Sequence, residues 1–330
     1  MRAITYRTFG PADEVLKLTD IETPQPGAGE VLVSLAFSGV NPSDVKRRAG
    51  ARPGETELPY PAICPHSDGA GTITAVGEDV DTNRIGEQVW IWNAQFDRAM
   101  GTAAEYVSLP EGQAVALPDG VSFETGASLG IPGLTAAHIV FGGGGIAGKT
   151  ILIHGGNGSV GNLAVQPAAW GGARVITTAR PVAFDRCRAT GADAVLDYRS
   201  ETLAQDVLTA NNGARIDRII DVEFGENIRT NAEVIAERGT ISTYGSAKNM
   251  SPEIPFGPLL FKAVTIEIAL VYILTDAERR RAINVLHSAL SDKALSYPVA
   301  EVFALGETDL AHQAVERSAR EGAILIDTRQ

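Results

Sequence analysis

The stretch Lys149-Thr150-Ile151-Leu152-Ile153-His154-Gly155-Gly156-Asn157-Gly158-Ser159-Val160-Gly161 decides how the chain is read. Residues 150–154 are short, apolar and partly β-branched, the pattern of a buried strand. A glycine-rich turn follows, and residues 162–170 carry apolar side chains at helical spacing. Gly156, Gly158 and Gly161 fit G-x-G-x-x-G at that turn. The first glycine permits the turn, the second lets backbone approach a pyrophosphate, and the third lets the helix pack on the strand. Phosphates would sit on free N–H groups at the helix N-terminus, where the dipole favours negative charge. The strand–turn–helix context predicts a dinucleotide site rather than a structural turn alone.

Downstream, strand and helix patterns alternate, as in βαβ units around a parallel sheet. Strands are predicted at 174–178, 194–198, 216–222, 239–245 and 264–272, and helices at 183–190, 202–209, 227–236 and 276–290. The end returns to strand character at 302–303 and 323–327, with a helix at 308–319 between. Pro167 falls inside the helix of the opening motif, where it removes a hydrogen bond and should kink it. Upstream, short apolar runs at 3–6, 16–19, 31–37, 71–77, 88–92 and 102–109 are spaced by glycine and proline. That spacing predicts a compact, barrel-like β domain. The four glycines at 142–145 precede a strand instead of opening a helix, so they read as a connector.

The 330 residues leave room for two domains. A net charge of −12 and a pI near 4.9 argue against nucleic-acid or anionic-membrane partners, which need net Lys and Arg. Cys64 and Cys187 are too few for a disulfide framework or a cysteine-rich metal site, and a reduced, cytoplasmic setting is expected. The first residues alternate and lack the apolar core of a secretion signal. The longest apolar run, 263–274, is interrupted by Glu267 and is too short to span a bilayer.

In an NAD-specific site an acidic residue about 20 positions past the glycines binds the ribose hydroxyls. Here the second strand ends Thr177-Thr178-Ala179-Arg180, with no carboxylate. Arg180 can pair with a 2′-phosphate instead, so NADP is predicted over NAD.

Several further motifs occur in order: Gly39-Val40-Asn41-Pro42-Ser43-Asp44, Cys64-Pro65-His66-Ser67-Asp68-Gly69-Ala70-Gly71, Val76-Gly77, Gly86-Glu87-Gln88-Val89, Ala104-Glu105-Tyr106-Val107 and Gly133-Leu134-Thr135-Ala136. With the glycine loop, Asp197-Tyr198-Arg199 and Tyr244-Gly245, the chain resembles, over nearly its whole length, the zinc-independent quinone oxidoreductases of the medium-chain dehydrogenase/reductase superfamily. The resemblance implies an α/β fold. A Rossmann doubly wound parallel sheet (126–271) would be inserted in a GroES-like β-rich catalytic domain (1–125 and 272–330). It implies NADPH held by Thr135, Gly156, Asn157, Gly158, Ser159, Val160, Gly161, Arg180, Tyr198 and Gly245, with Asn41 and Asp44 near the nicotinamide as catalytic residues. Asn41, Ser43 and Asp44 are equally good helix-capping residues.

The superfamily's zinc alcohol dehydrogenases carry cysteine and histidine ligands where Asn41 and Ser67 stand here, and no four-cysteine cluster exists for a structural zinc. No metal is therefore expected. His66 reads as a cleft or packing residue in place of the family's usual glycine, and His154 as packing before the glycine loop. The expected reaction is hydride transfer from NADPH to a quinone or another α,β-unsaturated carbonyl. An enoyl-thioester or alkenal reductase, with a basic entrance through Lys46, Arg47 and Arg48, is the alternative enzyme. A non-catalytic NADPH-binding protein is the alternative outside enzymes. The apolar strand at 264–272 is expected to pair across a homodimer edge.

Overall fold

The computed structural model describes residues 1–51, 54, 56–317 and 321–330. They form two compact units, one of Met1–Ile131 with Tyr297–Gln330 and the other of Pro132–Ser296. The expected domain limits were 125 and 272. Residues 272–296, including a long helix, lie in the second unit.

In the first unit β1 (Arg2–Thr5) and β2 (Lys17–Asp20) form an antiparallel pair around the short α1 (Ala12–Val15). β3 (Glu30–Val40) is buried along almost its whole length. Asn41 and Pro42 stop it and open α2 (Pro42–Arg48), proline taking the first helical turn, where its missing N–H costs nothing. β4 (Asp68–Val76), β5 (Gln88–Ile91), β6 (Tyr106–Pro110) and β7 (Ala114–Ala116) follow, all antiparallel to their neighbours. The short α3 (Phe123–Gly126) leads to α4 (Ile131–Phe141).

The second unit alternates strand and helix as the sequence predicts. β8 (Thr150–Ile153), α5 (Ser159–Trp170), β9 (Arg174–Ala179), α6 (Phe184–Ala189), β10 (Ala194–Asp197) and α7 (Leu203–Ala210) form its first half. β11 (Ile216–Asp221), α8 (Phe224–Val234), β12 (Ile235–Thr243), α9 (Phe256–Phe261), β13 (Thr265–Ile268) and α10 (Asp276–Ser291) form the second. All six strands are parallel, in the order β10-β9-β8-β11-β12-β13. This is a doubly wound sheet whose winding reverses at β8, the place where such sheets bind ligands. Leu152, Ile176, Ile219 and Ile241 pack from the sheet against Val207, Ile228 and Ala232 of the helices.

α5 runs through Pro167 to Trp170. Proline removes the backbone donor to Leu163, and the neighbouring Gln166 side chain ties this turn down. Its amide donates to Ser296 O at 2.8 Å and accepts from Ser296 N at 3.0 Å.

The chain then returns to the first unit with β14 (Val299–Ala304), α11 (Thr308–Glu316) and β15 (Ala323–Asp327). β15 pairs antiparallel with β3, giving the order β14-β15-β3-β4-β5-β7 with β6 also on β3. The last residues of the helix expected at 308–319, Ser318 and Ala319, lie outside the described residues. Among the described residues no helix is long and apolar enough to cross a membrane.

Candidate functional site

In the second unit, parallel pairing brings the expected cofactor residues to one edge. Gly156 follows β8, Arg180 follows β9, Tyr198 follows β10 and Gly245 lies two residues past β12. The register places Ile153 beside Thr177, Ala179 beside Asp197, and Thr243 beside Asp221, so these strand ends all sit at the carboxyl edge. Thr135 is buried on α4.

The glycine loop has the geometry its spacing requires. A Cβ on Gly156 would lie 2.2 Å from Thr177 Oγ1, and one on Gly161 2.1 Å from Gly155 O, so neither position admits a side chain. Gly158 is the N-cap of α5, with Ser159, Val160 and Gly161 in its first turn and no acidic residue there. The opening N–H groups of a helix have no intrahelical acceptor, and the first turn of α5 carries no carboxylate of its own. The Asn157 side-chain oxygen is buried without a hydrogen-bond partner among the described residues. Among the described residues the Arg180 side chain has no hydrogen-bond or ion-pair partner, whereas Arg199 is held by both oxygens of Asp197 at 3.1 and 3.0 Å. A closed glycine turn, a helix N-terminus with no acidic residue in its first turn and a guanidinium without a partner among the described residues fit a nicotinamide dinucleotide.

In the first unit Asn41 is the N-cap of α2, and the Asp44 side chain reaches back to it. The Asp44 carboxylate accepts from Asn41 N at 2.8 Å. The Asn41 amide meanwhile donates to Asp68 Oδ2 at 2.7 Å. Asp68, which sequence reasoning passed over, is wholly buried and also accepts from Ile131 N at 2.9 and 2.8 Å. Burial, and then the nearby Asp44 carboxylate, push its carboxyl well above the ordinary range.

His66 belongs to a buried chain rather than to packing alone. Thr102 donates to Asp68 O at 2.6 Å, so Ser38 must donate to Thr102 across 2.7 Å. His66 Nδ1–H then donates to Ser38 at 2.8 Å, and its bare Nε2 accepts from His312 Nε2–H at 2.9 Å. Burial pushes His66 down to about 3. Burial, with His66 and Arg48 as lesser causes, also holds His312 well below its ordinary value.

Arg47 and Arg48 do not form a basic entrance. Both are buried: Arg47 on the Gln95 backbone and side chain, Arg48 on Gly10 O and Glu316. Of the three basic residues on α2, only Lys46 is exposed.

Fold and site together define a nicotinamide-dependent oxidoreductase of the medium-chain dehydrogenase/reductase superfamily. Residues 27–119 match the alcohol dehydrogenase GroES-like domain and residues 159–288 the zinc-binding dehydrogenase domain. The human quinone oxidoreductase is 30% identical over 249 residues, 74% of this chain and 73% of that protein. A mycobacterial structure complexed with NADPH superposes with a TM-score of 0.85 at 28% identity, covering 99% of both chains. An NAD-dependent alcohol dehydrogenase structure gives 0.89 at 26% identity, again covering 99% of both chains. The chain belongs to the quinone oxidoreductase family of this superfamily. It acts on a small-molecule substrate.

One matched domain is named for zinc, and the residues here do not fit that ion. Both His66 nitrogens and the Asn41 amide are already hydrogen-bonded. Among the described residues no three His, Cys, Asp or Glu side chains are placed to hold a metal.

Proposed function

We propose that this enzyme uses NADPH to reduce a quinone or another electron-poor α,β-unsaturated carbonyl, without zinc. Arg180 is the observation that carries the cofactor choice. It follows the strand whose end would bear the ribose-binding carboxylate of an NAD site, and among the described residues it has no partner while Arg199 is paired with Asp197. When bound, the reduced nicotinamide supplies the hydride. The protein's part is to hold and orient. The glycine loop from Gly156 to Gly161, with Asn157, Ser159 and Val160, receives the pyrophosphate; Arg180 receives the 2′-phosphate. Tyr198 lines the adenosine end, and Thr135 and Gly245 lie along the cofactor. Asn41, held by Asp44 and Asp68, hydrogen-bonds the nicotinamide or the acceptor. The proton comes from solvent, because a reduced quinone oxygen needs no dedicated acid.

The quinone follows from the family's named activity, and burial of Arg47 and Arg48 removes the basic entrance that favoured a coenzyme A ester. A cytoplasmic setting accords with two free, buried thiols, Cys64 and Cys187. The enzyme is a homodimer in this reading, with a second copy on the open edge of β13.

Arg180→Ala should weaken NADPH binding by about 1.5–3 kcal/mol and leave NADH binding nearly unchanged. Equal losses for both cofactors would refute the NADPH assignment. Following NADPH oxidation with quinones, 2-alkenals and enoyl-CoA tests the acceptor; preference for a thioester over every quinone would overturn that half.

A further inference from the structure

His154 directly follows β8 and is almost completely buried, and its polar contacts form one ordered path. The path starts at Asp221, buried at the carboxyl end of β11. Asp221 Oδ1 accepts from Glu223 N and Asn227 Nδ2, both at 2.8 Å, and Oδ2 accepts from Asn231 Nδ2 at 2.6 Å. A carboxylate only accepts, so this bond fixes which way the Asn231 amide faces. The Asn231 oxygen therefore points at His154 Nε2, 2.8 Å away, and that nitrogen must carry the proton. Nδ1 is left as an acceptor and faces the Thr178 hydroxyl at 3.4 Å. With its hydrogen turned to the imidazole, Thr178 Oγ1 accepts from Gly155 N at 3.1 Å. The Thr178 carbonyl takes the next amide, Gly156 N, at 3.0 Å.

We propose that His154 is a positioning residue for the dinucleotide loop, passing the fixed orientation of Asp221 through Asn231 and Thr178 to the Gly155 amide. Gly155 stands at φ 75°, and its carbonyl lies 2.9 Å from Gly158 N and against the Cα of Gly161. The Gly155 N–H that Thr178 holds belongs to the 154–155 peptide, directly before the peptide that bears this carbonyl, so freeing it loosens the start of the phosphate cradle. The path settles one rotation before the ligand arrives, so binding does not bear the cost of ordering it. Every hydrogen bond in it has a fixed polarity, and loss of the imidazole leaves the Thr178 hydroxyl free to turn its hydrogen toward the loop.

The inference rests on a nicotinamide dinucleotide occupying this loop, so NADPH and NADH are both titrated against the full-length protein by fluorescence. A wild type that binds neither fails that reading; a wild type that binds, with variants that bind equally well, fails the relay. Thr178→Val is expected to raise the dissociation constant about 3- to 10-fold, the range of one neutral hydrogen bond, and Thr178→Ser to restore it to within about twofold. The loss falls on cofactor affinity rather than on kcat at saturating cofactor. His154→Phe should show a similar rise, and the double variant should bind no more weakly than Thr178→Val alone. Losses that multiply in the double variant would mean that His154 acts independently of Thr178. Melting temperatures are recorded for each. If His154→Phe does not fold, His154→Gln keeps a donor for Asn231 but presents nothing to Thr178, and unchanged affinity there overturns the proposal.

Discussion

At the scale of single residues, His66 is a costly choice. It stands at φ 77°, a left-handed conformation that side chains with a Cβ disfavour, and it is buried. Its imidazole is held down to about 3 by burial, against an unfolded value near about 6.5. Below about pH 6.5 the unfolded chain takes up a proton that the folded chain refuses. Stability therefore falls as pH drops from about 6.5 toward about 3, by up to about 1.4 kcal/mol per pH unit for this one group. His66→Asn keeps an amide that tolerates positive φ but cannot titrate, so urea unfolding across that range should show a shallower acid slope. An identical slope in the variant would show that His66 does not titrate this way. Nothing in the sequence gave away the partner: His312 is 246 residues distant and on another element. Arg180 was legible, because its place is set by the end of a strand whose apolar run can be counted. His154 was legible as buried but not as polar, since Asn231 comes to it from α8 and Thr178 from β9.

At the scale of elements, the strands after the glycine loop were readable from their apolar runs, and the errors have local causes. β12 starts at Ile235 rather than near 239 because a bulge admits extra residues between the Ile216–Ile235 and Arg218–Thr240 pairs, with Arg238 at φ 57°. β13 is much shorter than the predicted 264–272. Its partner β12 ends at Thr243, whose carbonyl takes Ala269 N at 2.8 Å, and past that point nothing remains to pair with. The chain turns instead into a 3₁₀ segment at Val271–Ile273. The ambiguity over Asn41 and Asp44 is a real property of α2: Asp44 caps the helix by holding Asn41 N, while the Asn41 amide meets Asp68. Asp44→Ala should therefore cost about 1 kcal/mol of stability in denaturant unfolding, whatever it does to turnover. A variant as stable as wild type would deny the cap.

At the scale of the whole molecule, β13 ends the parallel sheet with an edge that no strand among the described residues pairs, and large apolar side chains crowd near it in sequence. Ile268 is 80% exposed and Phe261 87%, with Leu260, Leu270 and Ile273 also at the surface. An edge of this kind invites another strand. A second copy is its proposed cover, so Ile268→Lys should shift sedimentation from dimer to monomer. A wild type that sediments as a monomer would overturn the assignment.

The insertion of one unit within the other has a consequence for how the chain comes into being. The strands of the second unit all lie within residues 132–296, so its sheet is complete as soon as that stretch leaves the ribosome. β3 must instead wait for β15, since Ser38 pairs with Ile326, 288 positions later. Synthesis delivers the parts of the first unit at opposite ends of the process, and contacts that distant are slow to find. The apolar face of β3 is thus the surface longest in need of a chaperone. Arrested nascent chains ending before β15 should be cut by protease in the first unit while the 132–296 stretch resists.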